Sequence, residues 1–258
     1  MKRNALIKIH HALLQLGIDA QKIVSYINYP RYAKERQKFI SRGGKVSKNF
    51  PILYDYKDKA GKAMGQYFHQ DLLVASFIHK NKPSNHIDIG SRIDGFVAHV
   101  AAFRKIEVLD IRPLNKIGHE NIKFLQTDLM DPIVVATKKT DSLSCLHAIE
   151  HFGLGRYGDD IDPLGYLKGF QNMLKMLEVG GTFYISFPIS KRNEVHFNAH
   201  RFFHPRDILS WDVFPMKFKV IRFDYVDDAG DLHQDIDLLG SQIDVEDGCG
   251  IYTLVRCS

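Results

Sequence analysis

From Asn85 to the C-terminus the chain alternates short apolar runs with longer amphipathic ones. This rhythm constrains the fold more than any other feature, because strands that alternate with helices in this way build a largely parallel sheet. The apolar runs predict strands over 86–89, 106–109, 122–125, 142–146, 182–187, 217–225 and 251–255. Between them the spacing predicts helices over 96–104 and 163–177, the second with Leu164, Leu167, Phe170, Leu174 and Leu177 on one face. That helix is expected to end at Gly180-Gly181, where a left-handed cap and a tight turn need residues without a β-carbon. Residues 226–250 are rich in Asp and Gly and read as a long loop, so the last two strands are expected to close the sheet as an antiparallel hairpin.

Upstream, residues 1–84 read as a helical, basic extension with a lid, and 85–258 as the α/β domain. Leu6, Ile9, Leu13 and Leu16 fall on one helical stripe suited to docking, while Lys8, His10, His11 and Gln15 make the segment too polar for a signal peptide or membrane span. A second helix is predicted over 66–79 from Phe68, Leu72, Ala75, Phe77 and Ile78. Residues 1–62 hold 14 Lys and Arg against 4 Asp and Glu, a charge of +10, whereas the rest holds 21 against 26, a charge of −5. Such an excess attracts RNA, an anionic membrane surface or a phosphorylated small substrate, although a solvated basic face is the simpler reading. Cys145, Cys249 and Cys257 form no CxxC pair and are odd in number, which points to a reducing, cytoplasmic setting without disulfides or a thiolate zinc site.

The sharpest chemical signal is the segment His86-Ile-Asp-Ile-Gly-Ser-Arg-Ile-Asp-Gly95, a strand running into Gly90 and Gly95, with Asp110 at the end of the next strand. A ligand is expected above that strand's carboxyl end, and an acid some twenty residues after the first glycine is placed to accept hydrogen bonds from ribose hydroxyls. A dinucleotide pyrophosphate requires close backbone approach at the middle glycine of GxGxxG. Here that position is Arg92.

Asp88-Ile89-Gly90 resembles the first motif of the class I S-adenosylmethionine-dependent methyltransferases, whose cofactor has no pyrophosphate. The resemblance continues through Val108-Leu109-Asp110, Gln126-Thr127-Asp128-Leu129, the turn from Ser144 to His151 and the Leu177 to Ser186 turn into a fifth strand. It covers roughly residues 85–258. The DIGSRIDGF, LGRYGDDIDP and FNAHR strings look like a narrower, functionally unassigned subgroup, whose bacterial members suggest envelope-glycan pathways. The fold implied is three-layer and Rossmann-like: a mostly parallel seven-stranded sheet, a C-terminal antiparallel hairpin and the N-terminal helical extension. The cofactor implied is S-adenosylmethionine, with Gly90 and Ser91 under its methionine part, Asp88 at its amino group, Asp110 and Ile111 at the ribose, Asp128 and Leu129 at the adenine, and His147 alongside. Asp88 and Asp94 as helix caps and Asp128 as a turn cap are the structural alternatives. The sequence departs from the family pattern at Arg92 and Ile93, where a second glycine is expected.

Methyl transfer asks mainly for alignment of nucleophile, methyl and sulfur; an alcohol acceptor also requires removal of a proton. His147, Glu150 and His151 follow the fourth strand at an i, i+3, i+4 spacing. His151 is the preferred general base, with Glu150 fixing its tautomer. A divalent ion on the same three side chains, or on His196, His200 and His204, is a less favoured reading. His200 and Arg201, with Arg156 and Tyr157, are expected to contact a substrate carboxylate or phosphate, and His69 and Gln70 to face the site from the 66–79 helix as a lid. The favoured activity is O-methylation of a small polar acceptor such as a sugar, a phosphorylated metabolite or a surface-glycan precursor. Its rivals are an RNA or other N-methyltransferase, which would bring nucleic acid as a partner, a nicotinamide-dependent oxidoreductase and a non-catalytic relative that keeps the cofactor. The Asn/Asp-Pro-Pro-Tyr motif of many nucleic-acid N-methyltransferases is absent where His147-Ala-Ile-Glu150 stands, and there is no Tyr-x-x-x-Lys pair.

Overall fold

A computed structural model describes Gly17 and residues 24–257, apart from 116, 133–136 and 213. The stripe of Leu6, Ile9, Leu13 and Leu16 lies outside the described residues. The chain forms two compact units, residues 1–62 and 63–258. In the first, α1 (Tyr29–Ser41) carries Pro30 in its first turn, where a missing N–H costs nothing. Its side chains make polar contacts within the unit: Arg31 pairs with Glu35 at 2.8 Å, and the Tyr56 hydroxyl donates to the same carboxylate at 2.8 Å.

The second unit is built on β1 (Ile87–Ile89), β2 (Ile106–Asp110), β3 (Ile122–Gln126), β4 (Thr140–Leu146), β5 (Leu177–Ile189), β6 (Glu194–His196), β7 (His200–Phe202), β8 (Phe218–Val226), β9 (Leu232–His233) and β10 (Gly248–Arg256). The main sheet runs β3-β2-β1-β4-β5-β10-β8-β9. The first five strands pair in parallel, and β10 inserts antiparallel between β5 and β8. The central strands β1 and β4 are buried almost throughout, polar positions included, because layers cover both faces. On one face, α4 (Gly165–Met176) buries Phe170 and Met173 in a cluster with Phe183, Trp211 and Phe218. On the other, α2 (Gln66–Asn81) and α3 (Ala98–Ala101) pack Val74, Ile78 and Val100 with Val108 and Tyr184. Helix α2, read from sequence as part of the extension, thus shares a core with the sheet. No described helix is long and apolar enough to cross a membrane.

Three expectations change. The sheet has eight strands, not seven, because the loop expected over 226–250 contains β9. Asp227 Oδ1 accepts the N–H groups of Ala229 and Asp231 around Gly230 (φ +87°), so the Asp/Gly composition encodes a tight turn there. Near His196 and His200, where Asn198 and Pro205 stand against one uninterrupted helix, the chain forms the β6–β7 hairpin. The 163–177 helix stops at Met176 and Leu177 is already extended, so Gly180 (φ +80°) turns the chain inside β5, where the pairing with β4 shifts register. The 96–104 helix is cut to four residues after an irregular turn at Ile93–Val97. Gly95 departs from helical angles there, and a β-carbon on it would lie 2.7 Å from Asp71 Oδ2.

Candidate active site

The carboxyl ends of β1 to β4 line a partly open cavity. It brings together Gly90, Asp110, Ile111, Asp128, Leu129, His147, His151 and Tyr157, all expected at the site from sequence, with Arg112, Phe152 and Asp159. A second, more open cavity shares Gly90, Asp110, Arg112, His147, His151 and Tyr157, and adds Tyr67, Ser91, Arg92, Glu150, Arg156 and His200.

Gly90 turns the chain out of β1 with φ +68°, and a β-carbon on it would meet Ala148 Cβ at 2.9 Å. Asp88 lines neither cavity. Its carboxylate is fully buried and accepts from Ser144 Oγ (2.5 Å), Ser91 Oγ (2.7 Å) and Ser91 N (3.0 Å), so it holds the Gly90–Ser91 turn against β4 from beneath. The amino-group contact expected of it has no geometric support. Burial pushes Asp88 up to about 6, opposed by the serine hydrogen bonds. A raised carboxyl pKa stabilises the fold fully below the unfolded value, near 4, and loses that contribution as pH rises through 6. The loss amounts to about 3 kcal/mol at 1.36 kcal/mol per pKa unit. Asp88→Asn is therefore expected to gain stability relative to wild type between pH 4 and 7 in denaturant titrations; a pH-independent difference would refute the assignment.

Asp110 is almost wholly buried at the end of β2, and Arg112 binds it in a fork. Arg112 Nε lies 2.9 Å from Oδ1, Nη2 lies 2.5 Å from Oδ2, and the Arg112 backbone N–H donates to Oδ1 at 2.8 Å. The same Nη2 reaches the Gly90 carbonyl at 3.0 Å, and the guanidinium lies 4.9 Å from the Tyr157 ring centre. Sequence reasoning missed Arg112. The available signal was a basic residue two positions after a strand-end acid.

Beyond β4, His147 adopts a left-handed backbone (φ +50°), which turns its ring inward against Tyr67 at 5.0 Å. Its Nδ1 lies 3.0 Å from Glu150 Oε1. Burial alone would lower the His147 pKa, but Cys249 and Glu150 outweigh it and raise it well above the ordinary value; burial would raise Glu150, and His147 holds it down. The two therefore form a buried ion pair. The expectation that Glu150 fixes the His151 tautomer is corrected: His151 Nδ1–H donates to the Ala199 carbonyl at 2.7 Å, which leaves the Nε2 lone pair free, 3.6 Å from Glu150 Oε1. Burial lowers the His151 pKa, so the ring is neutral at pH 7. His147 Nε2, Glu150 Oε2 and His200 Nε2 are buried without hydrogen-bond partners.

The substrate candidates divide. Arg156, Tyr157 and His200 line the open cavity. Arg201, expected there, is 4% exposed and donates to the carbonyls of Glu150, Phe152 and Pro163, so its charge is spent holding the 150–163 segment. Gln70 is also buried away from the cavities: it accepts from Ser186 Oγ at 2.5 Å and donates to Asp71. His69 lines neither cavity, and the α2 residues at the cavity wall are Gln66 and Tyr67. Among the described residues no three His, Cys, Asp or Glu side chains gather to hold a metal ion.

A family model described as a Caenorhabditis protein of unknown function, DUF268, matches residues 114–238. The curated proteins hold no match to the chain. Among solved structures, the chain is similar to a 1,6-didemethyltoxoflavin-N1-methyltransferase from Burkholderia thailandensis, solved with 1,6-didemethyltoxoflavin and S-adenosylhomocysteine bound. The identity is 14% and the TM-score 0.52, over 73% of this chain and 79% of that one. It is also similar to an S-adenosylmethionine-dependent methyltransferase from Clostridium acetobutylicum, at 11% identity and a TM-score of 0.50, over 80% of this chain and 97% of that one. Strand order and likeness together give the chain the Rossmann-like fold of class I S-adenosylmethionine-dependent methyltransferases.

Proposed function

We propose that this chain is an S-adenosylmethionine-dependent methyltransferase acting on an oxygen of a small polar acceptor, such as a sugar or phosphorylated metabolite. The observation that carries this reading is the convergence of the Gly90 turn, the Asp110 carboxylate and the Ile111, Asp128 and Leu129 wall in one cavity at the carboxyl ends of β1 to β3. The residues present fit the cofactor. Asp110 suits two ribose hydroxyls, Ile111 and Leu129 suit an adenine face, and the absent β-carbon at Gly90 leaves room for the methionine part. Bound there, S-adenosylmethionine supplies a methyl group on a positively charged sulfur. His151 Nε2, at the seam of the two cavities, is placed to take a proton from an acceptor hydroxyl. His147 and Tyr67 wall the acceptor side, where the orphaned His200 Nε2 offers a further polar contact. A histidine base beside a buried acid favours oxygen over the nitrogen acceptor of the Burkholderia neighbour.

Calorimetric titration of S-adenosylmethionine and S-adenosylhomocysteine into wild type and Asp110→Ala tests this. Wild type is expected to bind in the micromolar range. The substitution is expected to weaken binding by roughly 100-fold, since each hydrogen bond to a charged group is worth ~1.5–3 kcal/mol. Absence of heat with both compounds would overturn the reading, and nicotinamide dinucleotides would be titrated next.

A further inference from the structure

Arg112 and the Asp110 carboxylate it occupies stand out once the site is read as a cofactor cavity, because both carboxylate oxygens already accept from this one side chain. Ribose hydroxyls and a guanidinium compete for the same acceptors. Arg112 Nη2 also bridges to the Gly90 carbonyl, across the gap between the two motifs that would frame the cofactor. The Arg112 side chain is 41% exposed and borders the open cavity, so it has room to move. In that cavity Tyr157 carries Arg112 at 4.9 Å and Arg156 at 5.2 Å from its ring centre. Arg156 forms no ion pair among the described residues; its Nη1 donates to the Ala199 carbonyl at 2.8 Å. The other charges lining the cavity are the Arg92–Asp94 pair, Glu150, which pairs with His147, and Asp247.

We infer that Arg112 is a two-position latch: it closes on Asp110 in the empty protein, and the cofactor ribose releases it to join Arg156 and Tyr157 in a subsite for a phosphate or carboxylate on the acceptor. This rests on the cofactor reading above. Planar guanidinium groups bind such anions bidentately, and two of them flanking one aromatic ring hold little conformational freedom. The consequence is ordered binding, with the cofactor raising the affinity for the anion and, by linkage, the anion raising the affinity for the cofactor by the same factor.

Titrations of S-adenosylhomocysteine and inorganic phosphate into wild type, Arg112→Ala and Arg112→Lys separate the possibilities. Breaking the Arg112–Asp110 ion pair, exposed on its arginine side alone, before each binding event is expected to hold wild-type affinity down, so Arg112→Ala should bind S-adenosylhomocysteine about three- to tenfold more tightly. Saturating S-adenosylhomocysteine should tighten phosphate binding to wild type by a similar factor. That coupling should vanish in Arg112→Ala and shrink in Arg112→Lys, which keeps the charge but not the fork. Equal or weaker S-adenosylhomocysteine binding by Arg112→Ala, or phosphate binding to wild type that is absent or indifferent to S-adenosylhomocysteine, overturns the latch while leaving the cofactor assignment intact. A wild type that binds no S-adenosylhomocysteine removes both.

Discussion

Replacing His151 with asparagine is expected to slow methyl transfer to a hydroxyl acceptor by roughly 10²–10⁴-fold, the usual worth of a positioned general base. The affinity for S-adenosylhomocysteine should stay near that of wild type. The asparagine amide can still donate to the Ala199 carbonyl, so the wall keeps its shape and only the Nε2 lone pair is lost. Protonation of His151 in the reaction places a positive charge 3.6 Å from Glu150 Oε1, which stabilises the imidazolium as it forms. The pH dependence carries a second test. Burial depresses the His151 pKa, so the basic form persists below the ordinary value of 6.5, and the acid limb of kcat/KM is expected on the acid side of that value. An acid limb above 6.5, or a His151→Asn enzyme as fast as wild type, would leave alignment alone as the source of rate.

The place of His151 at the cavity was legible in the sequence because it is local: the residue follows a strand-end turn at a spacing that one helical turn converts into proximity. The gathering of the cavity residues was legible for a similar reason. Asp110 ends a strand and Gly90 and Asp128 follow one within two residues, and parallel pairing brings strand ends to one edge whatever lies between them. Roles that depend on distant partners were not legible. Asp88 matches a motif acid, yet its third hydrogen bond comes from Ser144 across the β1–β4 pairing, which turns a ligand contact into a brace. Gln70 was expected at the cavity, but its acceptor oxygen is satisfied by Ser186, 116 residues away. Composition misled at 226–250, where the same Asp and Gly residues that suggest a loop also build the Asp227 turn that starts β9.

Arg201 is the position where the sequence reading and the structure predict opposite results. As a substrate contact, Arg201→Ala would raise KM and leave the melting temperature alone. Its surroundings predict the reverse: a guanidinium that is 4% exposed serves three backbone carbonyls, at Glu150, Phe152 and Pro163, and lies 5.1 Å from the Tyr166 ring centre. Truncation would orphan those carbonyls, one buried and two part-buried, at ~1–3 kcal/mol each, partly relieved by water, for a net loss of roughly 3 kcal/mol. For a chain of this size that corresponds to a fall in melting temperature of about 10 °C. Because two of the three carbonyls flank His151, the softened segment should also slow turnover more than it weakens acceptor binding. Differential scanning calorimetry with steady-state kinetics decides the matter: an unchanged melting temperature with a raised KM would return Arg201 to the substrate. A large fall in melting temperature, partly restored in Arg201→Lys because one ammonium can still serve the nearest carbonyl, would make it the tie that holds the catalytic turn in place.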